Sequence, residues 1–389
     1  MSKYTYKNLL LVNPDFDSKL TSLIIDLDYL RKREIQGTTP APIFFQLKSL
    51  FHTLESIGSA RIEGNHTTIA EFIENKIQKN KELSSEKTKE IENVEKALSF
   101  IDKKVKNNFR IDGEVIRQLH SIVVDGLSST DEGDKNAGEY REDDVKISGS
   151  LHIPPSTLEV RYYMKELTAF INKEDEARYD LLKIALTHHR FVWIHPFGNG
   201  NGRTVRLLTY AQLVRAGFNV ERAGRIINPT AIFCGDRNKY YDYLATADSG
   251  TTEGLLQWCE YVLTGLKEEI EKVDKLTDYP YLSKNILLPA INFSLDRKVI
   301  NDTEASILKI ALKANNGQGF QAKDVKSVFQ GKHMSHVSRY IGRMKEKRLI
   351  ASITKNSRKY LIDFQNNYLF RGVIKMLDNN NFLPLKNEV

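Results

Sequence analysis

Ile194-His195-Pro196-Phe197-Gly198-Asn199-Gly200-Asn201-Gly202-Arg203-Thr204-Val205-Arg206 is the stretch on which the reading of this chain turns. Glycines at 198, 200 and 202 free the backbone to present consecutive N–H groups, and the segment opens into an apolar-periodic run through Arg215 that reads as a helix. The first N–H groups of a helix have no intrahelical partner, and the aligned peptide dipoles favour an anion there. Arg203 and Arg206 stand three residues apart, so both project from one side of that turn, where they can grip phosphate oxygens in bidentate fashion. His195 precedes the loop, placed to remove a proton at neutral pH. Glycine spacing alone leaves open a plain connection between helices with a packed histidine and two solvated arginines, since this is neither a Walker A sequence nor a G-x-G-x-x-G after a strand. The conjunction of the histidine, Gly-Asn-Gly and two arginines decides for the anion site.

Outward from the loop, the patterns are mostly helical. Upstream, Leu181 to Trp193 and Val160 to Asn172 read as helices, as do Arg110 to Asp125 with Asp112 as N-cap, Glu86 to Ile101, Thr67 to Gln78 and Phe44 to Glu63. Between them Val145, Ile147, Leu151 and Ile153 alternate around Ser148-Gly149-Ser150, which predicts a short β-hairpin closed by Pro154-Pro155. Downstream, Tyr240 to Asp248 and Glu253 to Leu276 read as helices, and Asp278 to Leu295 reads as a linker. Beyond it, helices at Glu304 to Ala314, Ala322 to Phe329 and Ser335 to Lys347, the last capped by Ser335, lead into apolar alternations at 349–353 and 360–362 around the basic turn Thr354 to Lys359. Three helices followed by a basic hairpin resemble a winged helix-turn-helix domain.

The chain has 389 residues, 41% hydrophobic and 28% charged, which suits a folded core and excludes a chain disordered overall. The run of about 20 apolar residues that a membrane helix needs is missing, and the start MSKYTYKNLLLVNPDFDSKL lacks the h-region of a secretory signal, so no membrane partner and a cytoplasmic location are expected. Cys234 and Cys259 are expected to be reduced thiols, since two cysteines make neither a disulfide framework nor a zinc site. The net charge of +7 is unevenly spread: residues 281–389 hold 19 Lys and Arg against 8 Asp and Glu, a net +11, leaving −4 for the rest. Such asymmetry hints at a separate module with an acidic partner.

Residues 194–206 resemble the signature of the Fic (Fic/DOC) family, H-x-F-x-[DE]-G-N-G-R-x-x-R, at every fixed position except the acidic one, where Asn199 stands. Gly138-Glu139-Tyr140-Arg141 and the 145–153 hairpin sit where that family has its target-docking flap, and Tyr240-Tyr241 resembles its nucleotide-contacting aromatic pair. Ser59-Ala60-Arg61-Ile62-Glu63-Gly64 resembles its inhibitory motif, [ST]-x-x-x-E-[GN], in the subclass that carries it N-terminal to the core. The resemblance implies a mainly α fold, a Fic helical-bundle core with a β-hairpin flap, with the winged helix-turn-helix domain appended. The expected division is an N-terminal helical region with the inhibitory motif at 1–110, the core at 111–277, the linker at 278–295 and the winged helix at 296–389.

Fic proteins transfer AMP from ATP to a Ser, Thr or Tyr hydroxyl of a target protein, releasing pyrophosphate. The resemblance assigns the general base to His195 and the nucleotide contacts to Gly200, Asn201, Gly202, Arg203, Arg206, Tyr240 and Tyr241, with the Asn201 side chain and loop N–H groups at the α-phosphate, Arg203 at the β- and Arg206 at the γ-phosphate. Phe197 is expected to anchor the loop. Mg²⁺ is expected mainly on the phosphates, with Asn199 as an uncharged ligand where the family has a carboxylate. Glu63, with Ser59 in the same motif, is expected to pair with Arg206 and hold the protein autoinhibited, and Ile153 to clamp the incoming target segment. For His188 and His189, helix packing or a backbone hydrogen bond is expected. Two further readings stay open: a de-AMPylating enzyme, and an ATP-sensing DNA-binding regulator or toxin–antitoxin component. The second rests on Lys332, His333, Ser335, His336, Arg339, Arg343, Lys355, Arg358 and Lys359, which form a basic footprint suited to DNA or a solvated face of a protein-interaction module. Family members often pair through the catalytic domain, which makes a homodimer a further expectation.

Overall fold

Two helices buried on every side organise the region around the glycine-rich loop. The computed structural model describes residues 9–32, 37–78, 85–147, 150–218, 230–355, 357–365 and 367–383. In chain order its first helices are α1 (Lys19–Lys32), α2 (Ala41–Ile62), α3 (Ile69–Gln78), α4 (Glu86–Lys104), α5 (Gly113–Val124), α6 (Thr157–Asn172), α7 (Asp180–Ile194) and α8 (Asn201–Arg215). Then come α9 (Thr230–Cys234), α10 (Arg237–Asp248) and α11 (Thr252–Asp274). The chain divides into two compact units, the first made of Met1–Glu34, Glu55–His66 and Ser85–Ile270, the second of Ile35–Leu54, Thr67–Ser84 and Glu271–Val389.

In the first unit, 13 of the 15 residues of α7 and 13 of the 15 of α8 are buried, so neither helix has a wet face and the loop joining them is held at the centre of the core. Around them pack α4, α5 and α6. Local signals fix where these helices begin. Asp112 caps α5 by accepting from Glu114 and Val115 N–H at 3.0 and 3.1 Å, and Glu159 accepts from the Ser156 N–H at 3.2 Å in a capping box that starts α6. Phe191, Phe197, Leu208 and Trp258 belong to one buried apolar cluster that also takes in Leu27, Leu98 and Leu119. Each such side chain contributes about 1.5–3 kcal/mol when fully buried.

The segment read as a β-hairpin does not form one among its described residues. Residues 145–147 and 150–153 contain no strand, and the Ser150 N–H bonds the Ile147 carbonyl at 3.2 Å in a simple turn; Ser148 and Gly149 lie outside the described residues. The physical reason is that the alternation buries no face: Leu151 is 99% and Ile153 55% exposed, so nothing stabilises a two-stranded ladder.

In the second unit, residues 278–295, read as a linker, are helical: α12 (Tyr279–Leu282), a π-type turn at Ser283–Leu287 and α13 (Leu288–Asp296). Leu282, Ile286, Leu287, Ala290 and Ile291 are buried, and Pro280 stands in the first turn of α12, where a missing N–H is no loss. There follow α14 (Asp302–Lys313), a 3₁₀ stretch at Ala322–Phe329, α15 (Met334–Glu346), strands β1 (Ile350–Ser352) and β2 (Tyr360–Ile362), and α16 (Tyr368–Asn379). The strands pair antiparallel, Ala351 opposite Leu361, and Phe320 adds a bridge to Tyr360. The cap of α15 is His333, whose ring accepts from the Ser335 N–H at 3.3 Å, not Ser335 as expected; Ser335 already lies inside the helix.

Candidate functional site

The loop between α7 and α8 is shaped by two left-handed residues. His195 ends α7 with φ 50° and ψ 60°, its N–H bonded to the Phe191 carbonyl at 3.0 Å, and Gly200 caps α8 with φ 70°. At Gly200 a Cβ would also meet Val124 Cγ1 at 3.0 Å, so both conformation and space call for glycine. Phe197 is fully buried as expected, stacked on the His120 ring with centroids 3.8 Å apart and planes 3° from parallel.

His120 was not singled out by the sequence. Its Nδ1 accepts from the Gly138 N–H at 3.0 Å, so the ring proton sits on Nε2 and is donated to the Asn199 carbonyl at 3.1 Å. Burial lowers its pKa to about 4, with partial opposition from the nearby Asp134 carboxylate, and keeps the ring neutral. Asp134 in turn accepts from the Asn199 N–H at 3.0 Å.

The two asparagines of the loop brace it from within. Asn201 accepts from the Phe197 N–H at 3.0 Å and donates to the Phe197 carbonyl at 2.8 Å, so its side chain closes the turn. Asn199 accepts from the Gly200 N–H at 2.6 Å and donates to the Asp131 carbonyl at 2.8 Å. Its amide is committed at both ends, and among the described residues no group of three or more His, Cys, Asp or Glu side chains is placed to hold a metal ion. Asn199 thus braces the loop.

Both arginines are buried and paired with carboxylates. Arg206 donates from Nε to Ser59 Oγ at 2.9 Å, and from Nη2 to the Ser59 carbonyl at 2.9 Å and Glu63 Oε1 at 2.7 Å. Burial alone would push the Glu63 carboxyl up, but the Arg206 charge and hydrogen bond, with Arg203 and Arg237, hold it below its ordinary value. Glu63 lies so close to the helix start that a Cβ on Gly202 would fall 2.0 Å from its Oε1. Arg203, fully buried, donates from Nη2 to the Glu132 carbonyl at 2.7 Å and Oε2 at 2.9 Å, while Nη1 lies 3.0 Å from Glu90 Oε1. Neither Glu90 nor Glu132 carries a motif that would have marked it in the sequence.

His195 is half-buried beside this arrangement, and burial lowers its pKa to about 4, so the imidazole is neutral at pH 7. Tyr240 is 2% exposed and bonds His188 Nε2 through its hydroxyl at 2.9 Å, with His188 Nδ1 2.8 Å from Thr209 Oγ1; the pair is core packing with satisfied polar tips. Tyr241 is the exposed member, covered on one face by the Arg237 guanidinium at 5.4 Å from the ring centroid. His189 reaches Asp248 at 2.9 Å, a side-chain partner where packing or a backbone bond was expected.

Residues 110–213 match the model of the Fic/DOC family. Among similar proteins, the protein adenylyltransferase Fic of Drosophila yakuba is 30% identical over 203 residues, and that of Culex quinquefasciatus 31% over 205 residues, each covering 51% of this chain and 37% of the relative. The chain thus spans little more than a third of the length of the curated relatives it matches. A Fic family protein from Desulfovibrio desulfuricans G20 shares the fold over 92% of this chain and 98% of its own, with a TM-score of 0.54 at 17% identity. A Fic domain containing signaling protein from Bacteroides thetaiotaomicron VPI-5482 does so over 67% and 98%, with a TM-score of 0.52 at 22% identity. Among the described residues no helix is long and apolar enough to cross a membrane. What this chain is similar to, through residues 110–213, is the Fic/DOC family.

Proposed function

We propose that the protein is an adenylyltransferase that moves AMP from ATP to a Ser, Thr or Tyr hydroxyl of a target protein and is held inactive by Glu63. The observation that carries this reading is the placement of the neutral His195 beside the N-terminus of α8, where Arg206 is occupied by Glu63 at 2.7 Å. His195 takes the proton of the attacking hydroxyl as its oxygen bonds the α-phosphorus, and the bond to the departing pyrophosphate breaks. The N–H groups at the start of α8 meet the charge gathering on the α-phosphate. Phosphate capture by Arg206 requires Glu63 to leave, and by Arg203 requires Glu132 to leave. No step is assigned to Mg²⁺.

Label from α-labelled ATP, incubated with the full chain and cell lysate, tests the reading. Incorporation into protein should rise at least tenfold in Glu63→Gly and vanish in His195→Ala, in line with the roughly 10²–10⁴-fold a general base supplies. No incorporation by any variant sinks it. Residues 296–389 read as the winged-helix module, with α14, the 3₁₀ stretch and α15 leading into β1 and β2. A regulator that senses ATP and binds DNA is the second reading, favoured by Arg339 and Arg343 on α15 and Arg358 and Lys359 before β2. Salt-dependent duplex binding by the full chain, without label transfer, would select it.

A further inference from the structure

Arg141 is 6% exposed and is spent entirely on backbone carbonyls and one carboxylate. Its Nε donates to the His195 carbonyl at 2.9 Å, its Nη1 to the Asp143 carbonyl at 3.0 Å, and its Nη2 to the Pro155 carbonyl. Its own backbone N–H donates to the Pro196 carbonyl at 2.9 Å. Asp144 lies 3.6 Å from Nη1 and also accepts from the Thr157 N–H at 2.9 Å, which ties the same cluster to the start of α6. One guanidinium therefore fastens the base-bearing residue to both ends of the segment 142–155. Only arginine's planar fork sends rigid N–H donors in three directions at once. Lysine's single ammonium cannot span the same carbonyls.

The point it grips is the one that needs holding. His195 is a non-glycine residue in the left-handed region, a conformation that costs of the order of 1–2 kcal/mol and persists only where its surroundings impose it. The peptide on its C-terminal side is fixed by the Arg141 side chain at the His195 carbonyl and by the Arg141 N–H at the next.

We propose that Arg141 is the positioning residue that sets the His195 ring, by tying the His195 carbonyl to the backbone at Asp143 and Pro155. This rests on the proposed AMP transfer, in which His195 is the base. Arg141 touches neither nucleotide nor hydroxyl; it acts through His195.

Full-length Arg141→Met and Arg141→Lys, each in the Glu63→Gly background, test it with three readouts: label transfer at saturating ATP, ATP affinity, and the histidine ring NMR signal that disappears in His195→Ala. In Arg141→Met, transfer should fall about tenfold to a hundredfold, as small misplacements of reacting groups do, while ATP affinity stays within about twofold. The His195 signal should shift in Arg141→Met, and Arg141→Lys should recover part of both the signal and the rate. An unmoved His195 signal overturns the proposal. So does a loss of rate matched by an equal loss of ATP affinity and unrelieved by lysine. If the Glu63→Gly parent transfers no label at all, the adenylyltransferase reading fails, and the NMR signal still decides whether Arg141 sets His195.

Discussion

Glu90 Oε1 lies 3.0 Å from Arg203 Nη1, with the two side chains 1% and 0% exposed. The other Glu90 oxygen accepts from Asn65 Nδ2 at 2.6 Å, so the carboxylate is held from two sides. A buried guanidinium needs such a partner, because removing one member of a buried pair leaves an uncompensated charge. Arg203 is thus an ion-paired core residue, and its second carboxylate partner, Glu132, has a side chain that is 28% exposed.

That asymmetry separates the two carboxylates by experiment. Glu132→Gln in the Glu63→Gly background should tighten ATP binding about threefold to tenfold, since a charge-assisted pair no longer competes for Arg203. Glu90→Gln should instead lower stability by about 3–5 kcal/mol, the usual effect of breaking a buried pair. Titration calorimetry with ATP and thermal melts read the two. Equal effects of both variants on affinity would refute the division of roles.

Gly202→Ala probes how tightly the inhibitory contact is built. Gly202 has no positive φ, so alanine brings no backbone strain, and inside a helix it would ordinarily add up to about 1 kcal/mol. Here the new Cβ would fall 2.0 Å from Glu63 Oε1 and 3.1 Å from Arg206 Nη1. The variant should displace Glu63 yet bind ATP more weakly than Glu63→Gly, because the methyl group also fills the cradle at the helix start. Equal ATP affinities for Glu63→Gly and the double variant Glu63→Gly/Gly202→Ala would show that nucleotide does not approach Gly202.

Much of this was legible in residues 194–206, because left-handed glycine and a helix start are local properties of the backbone. The Glu63–Arg206 contact followed from a second short motif. What the sequence hid was set by packing. Glu90, Glu132 and His120 come to the loop from elements far away in the chain, and a lone carboxylate or histidine leaves no trace of its eventual neighbour. Asn201 and Asn199 were expected at the nucleotide and at Mg²⁺ from the motif, which gives no sign that their amides also hydrogen-bond the loop's own backbone. Tyr240 was expected to contact the nucleotide; its hydroxyl lies 2.9 Å from His188 Nε2, a partner that the residue pair Tyr240-Tyr241 gives no sign of. The alternation at 145–153 failed as a hairpin because periodicity stabilises a strand only when one face is covered.

Restoring the family's acidic residue at 199 should not restore a metal site. In Asn199→Asp the carboxylate still accepts from the Gly200 N–H, but it faces the Asp131 carbonyl that the amide nitrogen now serves and sits close to Asp134. The lost donor and the added repulsion should cost about 1–3 kcal/mol. Thermal melts with and without MgCl₂ check this. A variant as stable as wild type in the absence of Mg²⁺ would show that the Asn199 brace contributes nothing.

Glu55 gives the clearest pH dependence. It is 3% exposed, accepts from the Thr230 N–H at 3.0 and 3.1 Å as well as from its hydroxyl, and lies near Glu269, Arg206 and Cys234. Burial raises its pKa from 4.5 to about 8, against the pull of the Thr230 hydrogen bonds and the Arg206 charge. The folded protein therefore holds this proton more tightly than the unfolded chain does. Its contribution to stability is complete below pH 4.5 and is lost as pH rises towards 8, at about 1.4 kcal/mol per unit. Glu55→Gln keeps an acceptor for the Thr230 N–H and has no proton to lose. Thermal melts at pH 5, 6.5 and 8 should show the wild type falling relative to Glu55→Gln as pH rises. A constant gap between the two proteins across that range would mean that Glu55 is ionised in the folded state and that the Thr230 hydrogen bonds outweigh its burial.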